Sequence, residues 1–508
     1  MKVYPTVSSA LPFDLRWCDC PMSNLVTVGT VAPIDGLPKV STVNVTAPIE
    51  PPSELYERRQ AAPSLDTVVV GCGIGGLAAA FCLAMAGHKV TILESAATIG
   101  EIGAGILMTP NVTRQLIRWG LEKRLQEVVV NPSALTVRRW CTGETLSWKQ
   151  WGDSVVKNYG APLSHIHRAD LHRMLYDLAE PHVNIRTNCR VVAMDPSVPS
   201  VTLKSGEVVR ANLVVGADGL RSVTRQYVVG RPDELTPSGD AAYRAVLPTE
   251  LLLADPDLRT LVETPETAIW LGPQRHIVAY NIRAKKEYNI VMCHPDRDPE
   301  GSWKIEESTD RMKEEFVGWE PRIQKLLSLI PSAIKWTLMD HAPLETWVHE
   351  DGKLALLGDA CHPMLPYGAQ GAAMAIEDAA VLGNMFSRLS SRAQITPLLH
   401  AYEAIRYDRA TNTQAFSRLR RIPLHLSDGR EQEQRDKQMH AAMEDALREA
   451  RGGTSVSTDT NTTSNANQRD EKEREAIQFG YDTDKEAERW WREHGESEVG
   501  SLRMPSTS

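Results

Sequence analysis

Residues 67–94 read TVVVGCGIGGLAAAFCLAMAGHKVTILE, and the organisation of the chain can be worked outward from them. An apolar strand-like run ends at Gly71, a small-residue helical run follows, and HKVTILE supplies a second strand, a βαβ unit in about thirty residues. Gly71-x-Gly73-x-x-Gly76 sits at the strand-to-helix junction. There the first glycine permits a tight turn, the second lets backbone approach a pyrophosphate, and the third lets helix and strand pack closely. Phosphate would rest on the helix N-terminus. Glu94 ends the second strand eighteen residues after Gly76, where a carboxylate accepts the hydroxyls of an adenosine ribose and repels a 2′-phosphate. NADP is thereby disfavoured, and FAD and NAD remain. The window 68–87 is long enough to span a bilayer, but its clustered glycines point to a soluble nucleotide site instead.

Around this unit the 508-residue chain has room for two or three domains. Residues 1–62, rich in Pro, Ser, Thr and Val without a period, read as a disordered N-terminal extension. The expected division places 63–239 and 346–425 in a discontinuous nucleotide domain and 240–345 in a second domain. The second domain is carried by AAYRAVLP, TAIWLG, HIVAYNIR and EYNIVMC, four strand-like runs followed by an amphipathic stretch. Residues 426–508 form a charged C-terminal region with a polar, disordered loop near 452–470, and a helical tail whose Trp490 and Trp491 can dock on the body.

The balance of 56 Lys plus Arg against 65 Asp plus Glu offers no basic footprint for nucleic acid. Eight scattered cysteines without a CxxC pair suit reduced thiols and a cytoplasmic location, and the lone Cys18-x-Cys20 lacks a second pair with which to hold a metal. No apolar run follows Lys2, so no secretory leader is expected, and no stable membrane insertion either.

Three further stretches carry chemistry: EIGAGILMTPN at 101–111, VVGADGLRSVTR at 214–225, and LLGDACHPMLPYGAQGAAMAIEDAA at 356–380. With the glycine fingerprint and Glu94, the Asp218-Gly219 and Gly358-Asp359 motifs make the chain resemble the FAD-dependent monooxygenases of the aromatic-hydroxylase type. The likeness is greatest to the salicylate hydroxylase-like enzymes of fungal secondary metabolism. It covers about 65–425 and extends to the tail around YDTDKEAERWW. It implies an α/β fold: a Rossmann-like FAD-binding domain of the glutathione-reductase type, a second mixed β-sheet substrate domain and a helical C-terminal tail.

The resemblance also implies roles. Gly71, Gly73, Gly76 and Glu94 would hold the adenosine diphosphate part of FAD. Asp359 would bind the ribityl chain, and Gly371 and Ala372 would present a helix N-terminus to the flavin pyrimidine edge. Ala104 and Gly105 would flank the isoalloxazine, and Arg168 would contact the cofactor. Asp218 is read as structural, Arg221 as a candidate pyrophosphate contact, and His362 as a packing residue. NAD(P)H would serve as a transient reductant, and reduced flavin with O2 would give a C4a-hydroperoxide that hydroxylates or epoxidises an aromatic, indole or polyketide-like small molecule. Arg244 and Tyr243 are the candidate catalytic residues. Adjacent strand positions point to opposite faces, so in a regular strand only one of the two faces the flavin, and Arg244 is favoured. No metal is implied. A monomer or homodimer is expected, and a flavin dehydrogenase or oxidase on the same fold is the alternative.

Overall fold

Strand Asp66–Val70 lies at the centre of a five-stranded sheet in the order Leu354–Leu356, Leu213–Gly216, Asp66–Val70, Lys89–Leu93, Asn184–Arg186, with every neighbouring pair parallel. All but the edge strand Asn184–Arg186 are short, mainly apolar runs, as a sheet covered on both faces requires. The computed structural model describes residues 59–100, 103–232, 235–297, 304–450 and 472–500, all within the unit Lys39–Ser508. Among the described residues no helix is long and apolar enough to cross a membrane.

The helix Ile74–Met85 is apolar on all sides because it is enclosed on all sides: Leu77, Ala78, Ala79, Ala80 and Cys82 are fully buried. It packs on the equally enclosed helix Gly371–Phe386, which follows the last parallel strand. Small residues set how near the two come. A Cβ on Gly383 would lie 2.5 Å from Cys82 Cβ, and one on Gly75 would lie 3.2 Å from Ala375 Cβ. Two helices nearly three hundred residues apart in sequence are thus brought into direct contact.

The second layer is an eight-stranded sheet in the order Lys304–Glu307, Ala333–Asp340, Thr236–Pro248, Glu287–Pro295, Arg275–Ile282, Glu266–Gly272, Ala134–Arg139, Thr145–Gln150. One of its faces carries Tyr243, Trp270, Tyr288 and Met292 and is covered by helices that contribute Leu258, Leu261, Met312 and Ile323. The other faces the Gly105–Met108 strand and the turn at 366–368. The expected partition assigned 63–239 wholly to the nucleotide part. Instead Ala134–Arg139 pairs in parallel with Glu266–Gly272, and Thr145–Gln150 follows it antiparallel, so both extend the large sheet. The run LTVRR alternates as any half-covered strand does, and its partner could be found only in three dimensions.

At the C-terminus Trp490 is buried. Glu488 bridges Arg59 at 2.6 Å and Arg388 at 2.5 Å, which together hold its carboxyl at about 2 against the opposing effect of burial. The tail therefore docks on the body. Cys18, Cys20 and the 452–470 loop lie outside the described residues.

Candidate active site

The site begins where the Asp66–Val70 strand turns into its helix. Gly71 has φ +102°, and a Cβ there would stand 2.5 Å from Ala217 O; a Cβ on Gly76 would stand 2.1 Å from Gly71 O. Both positions exclude a side chain. Around Gly73 no atom lies within 4 Å of where a Cβ would be, so the middle glycine fronts open space at the helix N-terminus, where a phosphate needs room. Glu94 Oε2 accepts the Cys72 N–H at 2.9 Å, and Oε1 accepts the Ala96 N–H at 2.7 Å. Those bonds hold the acid against the glycine loop. Burial, with Glu94 beside it, pushes the Cys72 thiol up to about 12, so Cys72 stays protonated.

A second helix N-terminus meets the first. After the strand Leu354–Leu356, Gly358 adopts φ +63° and the turn Gly358–Ala360 puts Asp359 next to the start of the Gly371–Phe386 helix. A Cβ on Gly371 would lie 3.8 Å from Asp359 Oδ1. Gly371 and Ala372 are half-buried, whereas the rest of their helix is buried. Asp359 is exposed beside that helix start, yet the protein packed around it raises its carboxyl above the usual range against the pull of His362, Arg168 and Arg225. Arg168 begins the helix Arg168–Ala179, and its N–H donates to Ala104 O at 2.9 Å. Burial lowers its guanidinium, Asp359 opposes that shift, and Arg244 adds to it. Arg168, Asp359 and Arg244, from three distant stretches, therefore share one electrostatic neighbourhood.

The structure separates the two candidate catalytic residues. Arg244 is half-buried on the cleft side of Thr236–Pro248, and its Nε is buried with no hydrogen-bond partner among the described residues. Tyr243 points the other way, 2% exposed, with its ring stacked 4.7 Å from His294 in the core beneath the covering helices. The alternation of a regular strand removes Tyr243 from the site.

Sequence reasoning missed Asn289. Its Oδ1 accepts the Gly105 N–H at 2.7 Å, and a Cβ on Gly105 would stand 2.4 Å from the Tyr280 ring, so Gly105 is pressed against the large sheet. A polar residue inside the apolar run EYNIVMC was the available signal. Arg225 was also passed over: fully buried, it donates to Asp359 O at 3.1 Å and Ala360 O at 3.0 Å and so holds the turn that presents Asp359. Asp218 accepts from Ser222 Oγ, Val223 N and Thr224 N, which caps the following helix, while Arg221 is exposed. His362 Nε2 lies 2.6 Å from Asp378 Oδ2, and Asp378 also pairs with buried Arg406. These two residues lock the motif into the core. Gln370, at the start of the Gly371–Phe386 helix, donates to Thr109 Oγ1 at 2.9 Å.

A dinucleotide carrying a flavin fits this arrangement. The backbone at Gly73 is open, two helix N-termini converge, Glu94 stands against one and Asp359 beside the other, and the buried Arg244 Nε and Asn289 Nδ2 have no partner among the described residues.

Comparison with known proteins agrees. Residues 64–417 match the family described as FAD binding domain. The chain is 38% identical to the FAD-dependent monooxygenase OpS4 of Beauveria bassiana, over 74% of this chain and 89% of that one. It is 36% identical to the 3-amino-4-hydroxybenzoate 2-monooxygenase PtmB3 of Streptomyces platensis, over 74% and 92%. Among solved structures, a salicylate hydroxylase substrate complex superposes with a TM-score of 0.66 at 23% identity, covering 84% of this chain and 98% of that one, a likeness of fold. With the cleft's geometry, these matches make the chain a member of the FAD binding domain family and an FAD-dependent monooxygenase of the hydroxylase type.

Proposed function

We propose that the protein takes electrons from NAD(P)H and one oxygen atom from O2 to hydroxylate or epoxidise an aromatic, indole or polyketide-like small molecule. The reading places it in the cytoplasm, in secondary-metabolite biosynthesis, as a monomer or homodimer. The observation that carries the reading is Arg244, a guanidinium with an unsatisfied, buried Nε on the cleft face of the large sheet, within electrostatic reach of Arg168 and the buried Tyr280. A cation there stabilises the phenolate or enolate character that makes a ring carbon nucleophilic.

The bound flavin, once reduced, supplies an electrophilic oxygen derived from O2. The chain's own residues bind and orient. Gly71, Gly73, Gly76 and Glu94 hold the adenosine diphosphate, and Asp359 holds the ribityl chain. Ala104, Gly105, Gly371 and Ala372 would flank the ring, Arg168 would contact the cofactor, and the dipole of the Gly371–Phe386 helix would favour negative charge at the ring's edge. In this reading the nucleotide part comprises most of 63–239 and 346–425 and the substrate part 240–345 with the two added strands. The names of relatives support ring hydroxylation, since one acts on an aminohydroxybenzoate.

Turnover under 18O2 with a panel of phenolic and indolic compounds tests the reading. The expected result is a product heavier by one labelled oxygen and consumption of NAD(P)H. Hydride transfer without label incorporation would overturn it in favour of a dehydrogenase or oxidase.

A further inference from the structure

The register of the large sheet bears on what lies against Arg244. Ile334, Arg244, Val291, Val278 and Ile269 are cross-strand partners in one row, carried by five neighbouring strands on the cleft face. All five are half-buried. On one side of the row Tyr280 and Asn289 are buried under Gly105; on the other Ala242 and Cys293 are buried under Leu365 and Tyr367. The row is therefore the half-buried floor of a strip one residue wide, running between Gly105, which flanks the flavin ring in the function proposed above, and the Leu365–Tyr367 segment.

Its chemistry is asymmetric. Arg244 is the charged member, with one apolar position on one side and three on the other. From Arg244 to Ile269 is three strand spacings, about 14 Å at roughly 4.8 Å each. At the far end Ile269 packs against Val137 and Leu271, with Leu424 and Met439 closing over them. A single hydroxylated ring occupies about half of that length.

We infer that the substrate is a hydroxylated ring bearing an apolar extension, an alkyl or acyl chain or a second ring. The ring's oxygen lies at Arg244, and the extension lies across Val291 and Val278 toward Ile269. This deepens the function proposed above and rests on it. Valine and isoleucine carry no donor or acceptor, so the extension is bound by burial alone, and its affinity grows with apolar area.

The test titrates the FAD-loaded enzyme with 5-alkylresorcinols from methyl to heptyl and follows perturbation of the flavin absorbance. The expected result is a Kd that falls about fourfold per added methylene until the chain fills the strip, then levels. Ile269→Trp should weaken heptyl binding at least tenfold and leave methyl binding within threefold. Where Ile269→Trp yields no folded flavoprotein, Val278→Phe makes the same discrimination, with FAD content as the check on folding. A Kd independent of chain length, or variants that weaken short and long members equally, would overturn the inference while leaving ring hydroxylation intact. Absence of binding for every member, methyl included, would overturn the inference, and the proposed function falls with it only if no compound of the phenolic and indolic panel takes up labelled oxygen either.

Discussion

On the parallel-sheet side the site is shaped by close backbone approaches with a few carboxylates set beside them, whereas on the eight-stranded side it is a row of side chains aligned by register. The first kind needs positions where a side chain cannot exist: Gly71 against Ala217, Gly76 against Gly71, Gly383 against Cys82. The second kind needs only that each strand pair correctly, and Ile334, Arg244, Val291, Val278 and Ile269 come from five strands with no spacing that links them. A backbone site therefore tolerates almost no change and keeps one ligand, while a register site can alter any member and change its ligand by degrees.

The sharpest way to break that contrast is at the glycine turn. Gly71→Val would place branched carbon on Ala217 O at a positive φ, so the variant is expected to purify without flavin absorbance or not to fold. Gly73→Ala, with open space around it and φ −77°, is expected to fold and to bind FAD more weakly. Equal behaviour of the two would remove the distinction between packing and ligand glycines.

On the register side, Arg244→Ala is expected to lower product formation about 10²- to 10³-fold, the cost of removing one preorganised charge-stabilising donor. FAD content should be unchanged. Tyr243→Phe should leave turnover within threefold, since that ring lies in the opposite core. A reversal of these two results would mean that the strand alternation places the wrong residue in the cleft.

A third effect is pH-dependent. Burial lowers His165 to about 3 and, despite the pull of Asp240, His425 to about 4. Both are lowered relative to an unfolded value near 6.5, so the unfolded chain takes up protons that the folded one refuses. Stability is then full above pH 6.5 and falls by up to about 1.4 kcal/mol per pH unit for each histidine as pH drops toward 4. Urea unfolding of the holoenzyme between pH 7 and 4.5 measures the slope. His165→Gln should flatten it, and an unchanged slope would show that another group takes up the proton. The smallest effect is expected at the contact between the two regions: Asn289→Leu leaves the Gly105 N–H without its acceptor, about 1 kcal/mol, read as a several-fold weaker FAD dissociation constant.

The nucleotide half was legible in the sequence because its constraints are steric and local. Gly71, Gly73, Gly76 and Glu94 fall within one βαβ unit, and the structure puts them at one strand-to-helix turn. Arg244 was legible on family likeness and strand parity together, and parity alone separated it from Tyr243. Asn289 and Arg225 were not singled out, because a buried amide or guanidinium has meaning only through the backbone group it meets from a distant segment. The placement of 134–150 in the large sheet was hidden for a similar reason: both sheets accept an alternating strand, and nothing local states which edge is free.

That placement governs how the protein can be made. The polypeptide passes from the parallel sheet to the large sheet and is back in the parallel sheet only at Asn184–Arg186, visits the large sheet again between 236 and 340, and only afterwards lays down Leu354–Leu356 at the margin of the parallel sheet. No single proteolytic cut can liberate a self-sufficient nucleotide module. A ribosome must release more than two-thirds of the chain before the Gly371–Phe386 helix can seat itself against Ile74–Met85, so FAD can be captured only late in synthesis.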